Sequence, residues 1–229
     1  MNLVMLDIDG TLTLSYEYDQ EIFGLAIAEV LGCPPVDANL NGYVDKTSTG
    51  VTLEAIRRIT GSSPKAEEIK KVKRSVLRRL KSMYRESPGL FGEVPGASRF
   101  LERLRKLKGT GIAIATGCWR SEAMFKLRAS GLNVDGIPMA TSDDDRNRRR
   151  IMEIAAQRAR DFYAFHGFER VVYLGDGPWD LQASRLLGYA FVGIGPRVEA
   201  LKDSEAGLWH PDYLEIEAVL GSIAAALKP

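Results

Sequence analysis

Four short runs of aliphatic and β-branched residues constrain this chain more than any other feature. They are LVMLDID (3–9), GIAIATG (111–117), RVVYLGDG (170–177) and YAFVGIG (189–195), and each ends in small or acidic residues. Continuous apolar character, without a polar residue at every second position, suits strands covered on both faces, as in a parallel sheet. IPMAT (137–141) is a weaker fifth candidate. Helical patterns lie between the runs. Phe100, Leu101, Leu104 and Leu107 recur at helical spacing in 97–107. Met124, Phe125 and Leu127 supply the apolar side of 121–131, with Gly131 as a stop, and 148–165 and 179–188 also read as helices. Strand and helix in alternation predict a doubly wound α/β fold, in which functional residues gather at the carboxyl ends of the strands.

The interval 15–95 breaks that alternation. It is helical throughout: Asp19–Leu31, Thr52–Thr60 and Ser63–Tyr84, the last with Ser63 and Pro64 at N-cap and N1. So long an insertion after the first strand exceeds an ordinary crossover. The economical reading is a Rossmann-like parallel core of five or so strands (1–14 and 96–229) with an inserted all-helical cap domain (15–95), hinged near 13–16 and 92–96. The polar stretch Thr47, Ser48, Thr49 and Gly50 is expected to form a cap loop.

Composition supports a globular chain with a sizeable core and excludes several classes. Of 229 residues, 45% are hydrophobic and 27% charged, enough for a sizeable core. Thirty-one Lys and Arg against 30 Asp and Glu leave +1, so no global field favours nucleic acid or a membrane surface. No apolar run is long enough to span a bilayer, and the N-terminus lacks a leader pattern. With two cysteines, Cys33 and Cys118, the expectation is reduced thiols in a cytoplasmic protein. Oligomeric state is not legible. The helix from Ser63 carries eight basic residues, among them Lys73, Arg74, Arg78 and Arg79; it reads first as a solvated face and alternatively as an anion-binding surface.

Candidate chemistry sits at the strand ends. Asp7 and Asp9 close the first run, and on a regular strand both would point the same way. Asp176 and Asp180 follow VVYLG. If the strands are neighbours, four carboxylates converge, and two unit charges 4 Å apart repel by ~4 kcal/mol at an effective dielectric of 20. A hard divalent cation with oxygen ligands, most naturally Mg2+, would resolve this. Each motif also has a structural reading: Asp9-Gly10 as a β-hairpin turn, Asp176 and Asp180 as helix caps, Thr116 as an N-cap. Thr116 and Gly117, just before a helix, alternatively form a phosphate cradle. One Arg of DDDRNRRR (143–150) could hold a phosphoryl oxygen bidentately.

In this order, the pieces resemble the haloacid dehalogenase superfamily over nearly the whole chain. Asp7-Ile8-Asp9-Gly10-Thr11 matches its first motif, Ile112–Thr116 its second, and Gly175-Asp176-Gly177-Pro178-Trp179-Asp180 its fourth. The helical insertion is similar to the cap of the branch containing phosphoglycolate phosphatases and β-phosphoglucomutases. The third motif departs: its usual lysine is missing, and Arg148 is the chosen substitute, with Arg149 and Arg150 as alternatives.

The resemblance implies a Mg2+-dependent phosphatase acting on a small phosphorylated, phosphoglycolate-like metabolite. Asp7 would be the nucleophile and Asp9 the general acid and base. Mg2+ would be held by Asp7, the Asp9 backbone carbonyl and Asp176, with Asp180 acting through water. Thr116, Gly117 and Arg148 would bind the phosphoryl group. A phosphosugar mutase, a phosphonatase using Lys46, or a non-catalytic phospho-ligand-binding module are the alternatives; a dehalogenase is disfavoured by Asp9 together with Asp176. Trp119 and Arg120 are expected either at the substrate or packed beneath the cap, Trp179 as a packing residue, and GIGPRV (193–198) as a tight turn.

Overall fold

A computed structural model describes residues 1–16, 18–39, 42–197 and 208–228. Its centre is a six-stranded sheet of order β3-β2-β1-β4-β5-β6, every pairing parallel. The strands are β1 (Asn2–Leu6), β2 (Thr110–Ala115), β3 (Met139–Ala140), β4 (Val171–Gly175), β5 (Ala190–Ile194) and β6 (Trp209–His210). The helices are α1 (Asp19–Leu31), α2 (Ser48–Thr60), α3 (Ala66–Glu86), α4 (Ala97–Leu104), α5 (Arg120–Ala129), α6 (Arg148–Tyr163), α7 (Pro178–Leu187) and α8 (Ile216–Ala226). The hairpin reading of Asp9-Gly10 is thereby excluded, because β1 is flanked by β2 and β4 as parallel neighbours.

Period-two alternation sorts the strands' side chains onto two faces. Val4, Leu6, Ile112, Ile114, Val172 and Leu174 pack with α4, α5 and α8, whereas Leu3, Met5, Ala113 and Tyr173 pack with α6 and α7. Both faces are covered, which is why these strands read as unbroken apolar runs. A third cluster belongs to the insertion: Ile22, Phe23 and Ile27 of α1, Val51 and Ile56 of α2, and Val76 and Leu80 of α3. Trp119, at the entry to α5, is fully buried in it, 5.3 Å from the Phe23 ring, and its indole N–H donates to Thr49 Oγ1 at 2.8 Å.

Two helices start elsewhere than the pattern predicts. α2 begins at Ser48, not Thr52, because Thr47 is its N-cap and accepts from the Gly50 N–H at 3.1 Å. The expected polar loop is therefore the first turn of a helix. α3 begins at Ala66 rather than after Ser63, since the Glu68 carboxylate accepts the Lys65 N–H at 2.6 Å and fixes the start there. β6, only two residues long, has no periodic signature and is not foreseen from the sequence. The turn after β5 holds Gly195 at φ 111°, while Val198 at the end of GIGPRV lies outside the described residues.

α2 enters the site tightly docked on the core. The Ser48 N–H donates to the Gly117 carbonyl at 2.8 Å, Thr47 Oγ1 to the Arg146 carbonyl at 2.7 Å, and Thr49 Oγ1 to the Ser142 carbonyl at 2.6 Å.

Candidate active site

The strand order decides which loops meet. β1 lies between β2 and β4, with Leu6 level with Ile114 on one side and Leu174 on the other. The residues just past these three strands, Asp7, Thr116 and Asp176, therefore surround one point at the carboxyl edge of the sheet. They line a cavity of about 80 Å3 together with Asp9, Gly117 and Arg148. The loop after β1 needs Gly10 at φ 77°, where a Cβ would fall on the Asp176 carboxylate. Gly117 is less constrained: a Cβ there would lie 2.6 Å from Arg148 Nη2 and 3.2 Å from the Lys46 carbonyl. Both glycines let charged groups approach the backbone closely.

Asp7, Asp176 and Asp180 each present a carboxylate oxygen within 4.8 Å of the others, and all three are buried. Burial pushes Asp7 up to about 7 despite the opposing Arg148 charge, with Asp180 and Asp9 adding to the rise. Asp176 and Asp180 are also raised, first by burial and against the pull of Arg197 and Arg148 respectively. Asp7 Oδ1 and Asp176 Oδ1 are buried with no hydrogen-bond partner. Unpartnered, desolvated carboxylate oxygens facing one another are a donor set for a hard divalent cation such as Mg2+, which takes one or two carboxylates and keeps water for the rest. The residues present fit the ion that the sequence implied. Asp180 also caps α7, because its Oδ2 accepts the Gly177 N–H at 3.1 Å; this is the structural role foreseen as its alternative.

The Asp9 carboxylate does not join this group. The expectation of four converging carboxylates assumed a regular strand, but β1 ends at Leu6 and the chain turns on the Ile8 carbonyl, which accepts from the N–H groups of Leu12 and Thr13. The Asp9 side chain is drawn aside to Lys126 Nζ (2.8 Å), Ser15 Oγ (3.0 Å) and Cys118 Sγ (2.6 Å). Burial pushes it up, but the Lys126 charge and these hydrogen bonds outweigh burial and hold it below the usual carboxylate range. Only its backbone remains available to the carboxylate cluster.

Of the three candidate arginines, Arg148 reaches the site. Its Nη1 lies 2.7 Å from Asp180 and 3.5 Å from Asp7, and the buried Tyr173 hydroxyl stands 3.4 Å away. Arg149 and Arg150 are exposed, the latter paired with Glu153. The rest of the acidic and basic run is spent on structure, as in the Asp144–Arg158 pair and the Asp143–Lys73 pair.

Several residues here were not foreseen. Arg197 donates from Nε to Asp176 at 2.6 Å and lies over the Tyr16 ring at 4.1 Å. Trp179, expected only to pack, stands on the cavity wall between Arg197 and Lys46, whose ammonium is 5.6 Å from its ring centroid. Lys126 is fully buried, at 0% exposure. The pairing of Glu122 with Lys126 at i,i+4 was its only trace in the sequence, and such pairs normally mark a solvated helix face. The apolar side assigned to α5 is correspondingly shifted: Glu122, Ala123, Lys126 and Leu127 are its buried residues, while Met124 and Phe125 are half-buried.

A family model described as haloacid dehalogenase-like hydrolase matches residues 1–188. Among solved structures, a hydrolase from Pseudomonas syringae superposes with TM-score 0.68 at 23% identity, covering 96% of this chain and 98% of the other. A putative beta-phosphoglucomutase from Bacteroides vulgatus gives 0.67 at 20% identity, covering 100% and 91%. CbbY from Rhodobacter sphaeroides, solved in complex with phosphate, gives 0.68 at 19%, covering 93% and 95%. No curated protein matches significantly. At these identities the structural neighbours establish the shared fold, and the family model, spanning most of the sequence, places the chain in the haloacid dehalogenase-like hydrolase family.

Proposed function

We propose that this protein is a phosphoric monoester hydrolase that uses Asp7 as nucleophile on a small phosphorylated metabolite, in the class of short phosphorylated acids such as phosphoglycolate. The observation that carries this reading is the buried grouping of Asp7, Asp176 and Asp180 beside Arg148, with Asp7, Asp176 and Arg148 lining a cavity of about 80 Å3. A volume of that order suits a compact substrate, and Lys46 and Arg197 on the wall suit an anionic one.

Mg2+ would be held by the carboxylates of Asp7 and Asp176 and the backbone carbonyl of Asp9, with Asp180 in contact through water. When bound, it would keep these carboxylates ionised and offset charge on the phosphoryl oxygens. An Asp7 oxygen attacks phosphorus, the bond to the leaving oxygen breaks, and Asp9, which must first take up a proton in the substrate complex against the pull of Lys126, delivers the proton that oxygen needs. Asp9, now ionised, takes a proton from water as that water attacks the same phosphorus. The bond to Asp7 then breaks, releasing inorganic phosphate and restoring the carboxylate. Arg148, Thr116 and the Gly117 amide stabilise charge on the group in transit. Docking of α2 excludes bulk water from this step, and release of product requires that docking to loosen. The insertion 15–95 thus acts as a cap over the core, moving about its connections near Thr13–Tyr16 and Gly92–Gly96.

Hydrolysis of p-nitrophenyl phosphate or acetyl phosphate with Mg2+ tests the reading. Activity should fall by about three orders of magnitude or more in Asp7→Asn. Undiminished hydrolysis by that variant would overturn it. A panel of phosphorylated metabolites then identifies the substrate by kcat/KM.

A further inference from the structure

The ammonium of Lys126 sits at a buried junction between the core and the inserted helices. It donates to Asp9 Oδ1 at 2.8 Å, Asp19 Oδ2 at 2.7 Å and Glu122 Oε1 at 3.0 Å, with Cys118 Sγ at 3.6 Å. A lysine has three N–H donors, and all three are used on carboxylates. The partners come from three places: the loop after β1, the first turn of α1 and the first turn of α5. Glu122 extends the junction to α2, since its Oε2 accepts the Ser48 hydroxyl at 2.9 Å. Asp19 and Ser48 belong to the insertion, whereas Asp9, Glu122 and Lys126 belong to the core.

A wholly apolar cluster would fill this junction at lower cost. The neighbouring buried residues of α5 are Ala123 and Leu127, and replacing buried ion clusters by apolar side chains of similar volume is often neutral or stabilising. What the lysine does, and a leucine could not, is fix the orientation of one Asp9 oxygen and tie it to the first turns of α1 and α2. Ser15 and Cys118 complete the hold on Asp9, leaving its carboxylate few rotamers.

We infer that Lys126 is a positioning residue for proton transfer by Asp9, and that through Asp19 and the Ser48–Glu122 contact it makes that positioning depend on the seating of the inserted helices. The inference rests on the phosphatase reading. Lys126 touches neither the cavity's phosphoryl end nor Asp7; it acts through Asp9 alone.

Leaving-group dependence separates this from a structural role. p-Nitrophenolate leaves without a proton, whereas an alkoxide does not, and hydrolysis of the phosphoenzyme needs Asp9 for either substrate. In Lys126→Met, turnover of β-glycerophosphate should fall by about 10²-fold or more, the usual range for lost acid–base catalysis. The first turnover of p-nitrophenyl phosphate should fall less than about tenfold. It should then appear as a burst stoichiometric with enzyme, followed by a slow steady state. Asp19→Asn, which leaves Lys126 and Asp9 in place, should show the same split in smaller measure and serves if Lys126→Met does not fold. Equal losses on both substrates and in both phases in a folded variant, or no loss, would overturn the inference while leaving the phosphatase reading intact. If wild-type enzyme forms no phosphoenzyme and Asp7→Asn stays active, both fall together.

Discussion

Burial and charge act in opposite directions on Asp7, and the balance sets what the residue can do. Burial pushes it up to about 7, and the guanidinium of Arg148 only partly opposes the rise. A protonated carboxylate is a poor nucleophile, so the site needs a further positive charge at the unpartnered oxygens of Asp7 and Asp176. This gives a residue-level expectation independent of turnover. Mg2+ at a hundred times its Kd should contribute about 2.7 kcal/mol to stability by linkage. For a domain of this size that is a rise in Tm of about 5–10 °C. Asp176→Ala should remove most of that rise, which differential scanning fluorimetry across a Mg2+ series would measure; an unchanged response in the variant would exclude Asp176 as a ligand. Asp9, two residues on, meets the opposite environment, because Lys126 holds it below the usual carboxylate range. The two aspartates of one short motif are thus pushed apart, Asp7 up and Asp9 down. That is the reverse of the order a nucleophile and a general acid need, so the proposed roles depend on a cation at Asp7 to restore its ionised form.

Among the elements, α3 shows how charge on a helix face is used. Its eight basic residues read as a solvated face or an anion-binding surface, and part of the run has a defined structural role. Glu29 of α1 accepts from Ser75 at 2.8 Å and from Arg78 and Arg79, which bind α3 to α1 across the insertion. The Arg78, Ser75 and Arg79 hydrogen bonds lower Glu29 from 4.5 to about 2. A carboxylate depressed in the folded state contributes stability above its unfolded value and loses it as pH falls through the folded one. Glu29→Gln should therefore be less stable than wild type at pH 7, by a modest amount because the pair is exposed. The difference should shrink below pH 4.5 and vanish near pH 2, as read by urea melts at each pH. A gap that persists unchanged at low pH would assign Glu29 a packing role instead.

Across the whole molecule, the parts most legible in the sequence were those fixed by strong local patterns. β1, β2, β4 and β5 were readable because burial on both faces leaves an unbroken apolar run, and Arg148 because it opens the helix after the third strand. α1 was readable at both ends. What escaped depends on contacts between distant segments. β6 is two residues long and is held by pairing with β5. Lys126 looks like half of a surface pair until α1 and the β1 loop close over it. Arg197 enters the site only because the turn after β5 returns beside Asp176. Even the turning aside of Asp9 follows from the chain bending at Ile8, which strand periodicity does not encode.

The fold brings three strand ends together around Asp7, and the proposed function has that residue carry a phosphoryl group. Acid quench during turnover of p-nitrophenyl phosphate with Mg2+, followed by borohydride reduction and peptide mass spectrometry, tests that most directly. A phosphorylated Asp7 would be recovered as homoserine at position 7, and we expect it there alone. Full hydrolytic activity with no homoserine at position 7 would contradict the account.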